Sequence, residues 1–327
     1  MELILNTFGV SLTRENDGFI VISNGEKQRV PTDGIRSIHI SKGAQITSDA
    51  VMLAIENEID ILFVDRAGNP FGRVWSPRYG SISTIRKGQI NFLHGTDAVE
   101  WIKDIIEKKI ANQQSLLFAL QPEDGSLSNL VSTTVTRLEA YRTKVLGIYG
   151  LTIADVASSL RGWEGSASRI YFETLNAMIP EEYRFVARSQ HPATDIANAL
   201  LNYGYGILYG KIEGALIKAG IDPYIGVLHR DVYNRPVLVY DVIELYRVWV
   251  DYVVFSLLKQ KVITEEFYSM SDDGSCWLEK LGRRILIQSV TDYLEETVTI
   301  NKLHRSRLSH IDLYSQNLAQ FLKTFEP

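Results

Sequence analysis

Near residue 90 the hydrophobic pattern of this chain changes period, and that change dictates two kinds of structure. Before it, the short runs "ELIL", "VSLTR", "FIVIS", "SIHI" and "DILFVD" are separated by "ENDG", "SNGE" and "AGNP". Apolar runs of this length between Gly, Asn and Pro turns predict strands, and "NDG" and "NG" sit where hairpins would turn. "SDAVMLAIENE" interrupts them as a helix, with Ser48 as its expected N-cap. After residue 90 the spacing is helical. "DAVEWIKDIIEKKIANQQSLLFAL" runs to "QPEDGS", and residues 127–147 and 152–178 continue the pattern. "PATDIANALLNYGYGILYGKIEGALIKAG" predicts a long helix or helix pair, with Pro192 at a start and Gly220 as C-cap. Further helices are expected at about 240–260, 276–296 and 300–324. The expected fold class is α+β: a small, mostly β N-terminal domain over 1–90, then a larger all-α multi-helix domain over 91–327.

Composition excludes several classes. A hydrophobic fraction of 45% over 327 residues is enough for a real core. No window reaches the ~18 uninterrupted apolar residues of a membrane span. The start, "MELILNTFGVSLTREND", lacks a basic region and turns polar too early for a signal peptide. The single cysteine, Cys276, rules out an intrachain disulfide and a cysteine zinc site. A soluble cytoplasmic protein is therefore expected. The net charge of −5 argues against a globally polyanion-binding surface. The basic residues are nevertheless unevenly spread. Arg66, Arg73, Arg78, Arg86 and Lys87 lie in a stretch without acids, interleaved with Phe71, Trp75, Tyr79 and Phe92. "NKLHRSRLSH", residues 301–310, is a second such stretch. Both could meet a DNA backbone, and both could equally be ordinary solvated faces.

The segment "YDVIELYRVWVDYVVF", residues 240–255, poses a sharper problem. Taken as one helix, it places Asp241, Glu244, Arg247 and Asp251 on a single polar stripe with apolar residues on every other face. A carboxylate beside such a core is costly unless it is paired or bound to a cation. An internal salt bridge, Glu244 to Arg247, would suffice. Two other segments point elsewhere. Glu164 sits in "RGWEGSASRIYF" among small residues that let a backbone or a ligand come close, and His229 follows the turn "AGIDPYIGVL". Alone, Glu164 could be an incidental acid in tight helix packing or a partner of Ser168, and His229 an ordinary core or loop histidine. Together with an acid of the 240–255 segment they make two carboxylates and an imidazole, a set that can hold Mg²⁺ or Mn²⁺ with positions left open.

The blocks "EGSASRIYF", "ANALLNYGYGILYGKIEGALIKAGIDPYIGVLH" and "RPVLVYDVIELYR" resemble the CRISPR-associated adaptation integrase, the first Cas protein (Cas one). The detailed resemblance covers about residues 155 to 255 and agrees with the β-then-α layout. It implies a metal-dependent DNA endonuclease that joins 3′-hydroxyl ends of foreign DNA into a repeat array by transesterification. Carried over residue by residue, it implies metal ligands at Glu164, His229 and Glu244, with Asp241 as a further catalytic acid. Asn234 stands where the family commonly has glycine and Leu245 where it commonly has proline; neither is a ligand position. Arg161, Arg169, Arg247, Arg78, Arg86, Lys87 and Tyr203 are the candidate DNA contacts, with Tyr205 beside them. The resemblance further implies a homodimer with paired β domains, a bridging second Cas protein (Cas two), and double-stranded or branched DNA as substrate. Alternatives of related or different class are a transposon-type integrase, a branched-DNA repair nuclease of the same fold, and a non-catalytic scaffold. Transposon-encoded relatives often carry extra C-terminal modules, so an end at "LAQFLKTFEP" favours the CRISPR role.

Overall fold

The computed structural model describes residues 2–35, 37–64, 70–74, 82–123, 125–190, 192–229 and 235–325. Its internal contacts divide the chain into two units, Met1–Ile82 and Ser83–Pro327.

The first unit contains β1 (Glu2–Leu5), β2 (Ser11–Glu15), β3 (Gly18–Ser23), β4 (Glu26–Pro31), β5 (Ser37–Ser41) and β6 (Gln45–Ile46). It continues with α1 (Ser48–Glu56), β7 (Asp60–Val64) and β8 (Pro70–Arg73). One sheet has the order β4-β3-β2-β6 and the other β1-β5-β7-β8. Leu12, Phe19, Ile38 and Ile61 are fully enclosed in the core of this unit. Asn24 and Gly25 both take positive φ, 51° and 82°, as a two-residue hairpin between β3 and β4 demands. The strand β4 has one buried residue, Val30, among exposed polar ones, so it carries no alternating signal and the sequence did not announce it. The cap of α1 is Thr47, whose hydroxyl accepts from the Ala50 N–H at 3.3 Å, rather than Ser48. Adjacent hydroxyl residues are equivalent in composition; the extended backbone of Thr47 decides between them.

The second unit begins with α2 (Ile82–Phe92), α3 (Thr96–Leu120), α4 (Ser128–Gly147), α5 (Ile153–Ala177) and α6 (Ile196–Lys218). It continues through α7 (Val237–Val242), α8 (Arg247–Lys259), β9 (Tyr268–Met270), β10 (Cys276–Leu278) and α9 (Lys280–Glu295). A hairpin of β11 (Thr297–Ile300) and β12 (Leu303–Ser306) precedes α10 (Arg307–Lys323). The helices expected over 276–296 and 300–324 are thus shorter, and their first residues pair as strands. Asn301 and Lys302 make the hairpin turn at φ 51° and 66°, without the Asn-Gly signature that would have marked it. No helix among the described residues is long and apolar enough to cross a membrane.

Helix ends in this unit follow local chemistry. Thr152 and Asp155 form a reciprocal capping box at the start of α5. Asp195 caps α6 through the Asn198 N–H at 2.8 Å, and Gly220 takes φ +83° just past its end. The presumed single helix over 240–255 is broken. The backbone tightens into a 3-10 turn at Ile243–Leu245 and restarts at Arg247. The Leu245 carbonyl released by the break accepts from Asn112 Nδ2 at 3.0 Å. The polar stripe therefore does not run along one helix, and Asp241 and Glu244 serve different neighbours.

One buried acid lies on α6. Burial alone pushes the Glu213 carboxyl up to about 7. The folded protein then binds the extra proton over a window where the unfolded chain, at an ordinary carboxyl value, has lost it. Stability contributed here falls as pH rises from about 4.5 through about 7. Glu213→Gln should leave the melting temperature at pH 4.5 unchanged and raise stability at pH 8 by ~1 kcal/mol, allowing for partial screening. An equal Tm at pH 8 in a thermal melt would disprove it.

Candidate active site

The site is assembled around a lysine. The buried stripe of α3 includes Ile102, Ile106, Lys109, Ile110, Gln113 and Leu116. Lys109 and Gln113 occupy positions that the helical period assigns to apolar side chains. Glu164 lies on the buried side of α5, between Leu160 and Ala167. Lys109 Nζ pairs with Glu164 Oε1, and Glu244 Oε2 lies 2.5 Å from the same ammonium. Ser168 Oγ donates to Glu164 Oε1 at 3.0 Å, and Arg247 Nε donates to Glu244 Oε1 at 2.8 Å. Glu244 Oε2 is buried, and the Lys109 ammonium is its charge partner.

Electrostatics decide the protonation of this cluster. Burial opposes charge on Glu244, yet Arg247 and Lys109 outweigh it and hold the carboxyl at about 2. Burial likewise opposes charge on Lys109, and the carboxylates of Glu244 and Glu164 raise it above the ordinary lysine value. Glu244 is thus a carboxylate and Lys109 an ammonium throughout the neutral range.

Asp241 organises the histidine. Its carboxylate is fully buried and accepts backbone N–H bonds from Val227 at 2.7 Å, Leu228 at 3.2 Å and His229 at 3.1 Å. His229 Nδ1 lies 2.7 Å from Asp241 Oδ1. In the neutral ring Nδ1 therefore carries the proton, and Nε2 keeps its lone pair. The tight turn into this loop requires glycine: a Cβ on Gly226 would stand 2.2 Å from the His229 carbonyl oxygen. Arg161 Nη2 donates to the Leu228 carbonyl at 2.6 Å, bracing the loop from α5.

Lys109, Glu164, His229, Glu244 and Arg247 line one open cavity of about 590 Å³. Gly165 and Arg169 are on the same wall, and beyond the adjoining residues and backbone of α5 itself nothing lies within 4 Å of where a Gly165 Cβ would be. The small residues beside Glu164 thus leave room on the cavity side rather than admit another helix. Both Tyr203 and Tyr205 pack against the core, and Tyr205 also lines the cavity. The Arg247 guanidinium stacks 4.7 Å over the Tyr205 ring, and the Tyr205 and Tyr171 hydroxyls both donate to Asp251. Burial pushes the Asp251 carboxyl up to about 6, against those two hydrogen bonds. Arg188 faces the same space, stacked 5.3 Å over Phe172 and held by Asn198 and Asn202.

The remaining sequence candidates scatter. Arg86 is exposed and 3.5 Å from Asp222, and Lys87 is exposed on the same helix. Phe92 is core, edge-on to Trp101, Phe321 and Phe325. Arg73 pairs with Asp60 within its sheet. Arg66, Arg78, Trp75 and Tyr79 lie outside the described residues, as do Asn234 and the Phe71 side chain. The 301–310 stretch forms the β11–β12 turn and the start of α10. Its Arg307 is buried, pairs with Glu296 at 2.6 Å and covers the Tyr293 ring. Lys109, Gln113 and Arg188 went unnoticed in sequence. For the first two the signal existed, as polar residues on an apolar helical stripe.

The donor chemistry suits a divalent cation: two carboxylates from separate elements meet at one positive charge, on a cavity shared with an imidazole whose Nε2 lone pair is available. Among the described residues no three His, Cys, Asp or Glu groups already converge as a metal cluster, because the ammonium of Lys109 stands between the glutamates.

A β unit followed by a larger helical unit is the layout this chain shares with solved Cas1 structures. The chain belongs to the CRISPR associated protein Cas1 family, whose profile matches residues 3–292. It is 32% identical over 335 residues to a CRISPR-associated endonuclease Cas1 of Archaeoglobus fulgidus, covering 99% of this chain and 96% of that one. It is 26% identical to the CRISPR-associated endonuclease Cas1 of Mycobacterium tuberculosis, over 95% and 91% of the two chains. In fold it is similar to a Cas1 protein from Thermotoga maritima, with a TM-score of 0.71 at 20% identity over 100% and 98% of the chains. A casposase bound to integration product has a TM-score of 0.70 at 20% identity, over 99% and 95%.

Proposed function

We propose that this chain is a divalent-metal-dependent DNA endonuclease and integrase of CRISPR adaptation. The observation that carries it is the meeting of Glu164 and Glu244, from separate elements, at one cationic point in a cavity shared with His229. The relatives named as CRISPR-associated endonucleases support the activity, and the casposase's integration product supports strand transfer as its form.

Glu164, Glu244 and the Nε2 of His229 would hold Mg²⁺ or Mn²⁺. Bound there, the ion would polarise a phosphate oxygen and offset charge developing in the transition state. Asp241 keeps the His229 ring in the tautomer that offers Nε2. Arg247 and Arg169 present positive charge to a phosphate in the cavity. In the reaction a DNA 3′-hydroxyl gives up its proton and forms a new P–O bond while the target's 3′-oxygen leaves and is protonated. Water replaces the hydroxyl in the cleavage mode. The protein would work in the cytoplasm as a homodimer paired through its β units, with a Cas2 partner bridging two dimers. A partial Cas6-RT-Cas1--Cas2 complex, similar in fold at a TM-score of 0.73 and 22% identity, is consistent with that partner.

The test is integration of a 3′-hydroxyl-bearing duplex into plasmids with and without a CRISPR repeat, with the Cas2 partner present. We expect products that require Mn²⁺ or Mg²⁺, vanish with chelator and map to the repeat by at least ~10-fold. Cleavage or integration that ignores the repeat supports a branched-DNA repair nuclease instead. Products formed in chelator would end the metal-dependent reading.

A further inference from the structure

The two glutamates assigned to the ion already share a cation. Lys109 comes from α3, Glu164 from α5 and Glu244 from the 3-10 turn, so three separate elements meet at one ammonium. The Lys109 side chain is only 7% exposed, and it spends its charge wholly inside this cluster. Two carboxylates this close repel each other unless a positive charge lies between them. In the protein without metal, that charge is Lys109, with Arg247 supporting Glu244 from the other side.

The geometry points to Lys109 as an internal surrogate for the divalent ion: it holds Glu164 and Glu244 in place, competes with the ion for them, and turns away to admit it. This rests on the assignment of Glu164, His229 and Glu244 as ligands. The structure provides a receiving group. Gln113 is one turn further along α3 on the same face and lines the same cavity. Its Oε1 is buried and has no hydrogen-bond partner among the described residues. An ammonium leaving the glutamates can be accepted there without losing all its partners.

The exchange also changes the charge of the cavity. With Lys109 and Arg247 matched to Glu164 and Glu244, the cluster neutralises itself. A divalent ion on the same carboxylates leaves Lys109 and Arg247 as surplus positive charge facing the cavity, where a phosphodiester is the complementary group. Lys109 is thus a positioning residue that couples ion loading to an electropositive DNA site.

The experiment compares the full-length wild type with Lys109→Met and Lys109→Arg, by calorimetric Mn²⁺ titration and by thermal melts with and without Mn²⁺. Lys109→Met should melt lower than wild type without metal, bind Mn²⁺ about tenfold or more tightly, and gain more in Tm from the ion. Lys109→Arg should restore the metal-free Tm and the weaker Mn²⁺ binding. Wild-type or weaker Mn²⁺ affinity in Lys109→Met overturns the proposal. Glu244→Gln separates this failure from failure of the ligand assignment: if it leaves Mn²⁺ binding intact in the wild type, the ligands themselves are wrong. Should Lys109→Met not fold, Mn²⁺ soaked into wild-type crystals decides. Anomalous density between the glutamates with Lys109 Nζ displaced supports the surrogate; Lys109 still bridging both carboxylates refutes it.

Discussion

Glu244→Ala will lose Mn²⁺-dependent strand transfer and cleavage by at least ~10²-fold, since even removal of an outer-shell partner costs up to that much. The variant also leaves the buried Lys109 with Glu164 alone and takes from the half-buried Arg247 its carboxylate partner. Breaking a buried pair from one side costs ~3–5 kcal/mol, so the metal-free protein will melt lower as well. Glu244→Gln keeps the volume and a carbonyl acceptor, and it should lose activity with a smaller drop in Tm. Because Glu244 is held at about 2, its stabilising charge is present above the ordinary carboxyl range and is lost only as pH falls toward 2. The wild-type residue is therefore charged throughout about pH 5 to 9, and the activity gap between wild type and Glu244→Ala should not close anywhere in that range. Substantial Mn²⁺-dependent strand transfer by a folded Glu244→Ala protein would remove the residue from the site.

Asp241→Ala should be the most damaging change to the fold of the site itself. Its carboxylate satisfies three backbone N–H groups and the His229 ring, in a position with no access to water. A buried donor left without a partner costs ~1–3 kcal/mol, so the losses together amount to ~3–6 kcal/mol. At about 2–4 °C per kcal/mol for a chain of this scale, the fall in Tm is ~6 °C or more. The freed ring also loses its fixed tautomer, and Mn²⁺ affinity should drop ~10–100-fold. Asp241→Asn, with one acceptor oxygen and the same shape, should recover part of the stability but not the His229 orientation. Calorimetry and Mn²⁺ titration check both effects. Wild-type melting together with wild-type Mn²⁺ affinity would show that Asp241 does not hold the loop.

These two acids were indistinguishable as a stripe on a presumed helix. The break at Ile243–Leu245 separates them, turning Asp241 into the 227–229 loop and leaving Glu244 on the cavity. No residue in "VIELYR" is a helix breaker by composition. The break is supported by Asn112, from a distant helix, accepting the role of partner to the Leu245 carbonyl. Local propensity cannot foresee such a contact. The same holds for the arginines: Arg161 and Arg247 read alike in sequence, yet one donates to a loop carbonyl and the other to a carboxylate in the cavity.

The sequence by itself determined the two textures, the strands β1, β2, β3, β5 and β7, the hairpin turn at Asn24 and Gly25, and the courses of α3 to α6, because periodicity, caps and turn residues act over a few neighbouring positions. It also supplied, through the resemblance, the three residues Glu164, His229 and Glu244. Only the tertiary structure decided which charges meet. Lys109 and Glu164 are 55 residues apart, and their pairing depends on how α3 packs against α5 and on the turn that carries Glu244. Electrostatic partnership falls steeply with distance in space and is indifferent to distance along the chain, so a lysine hidden in an apolar stripe shows its purpose only once the helices are packed.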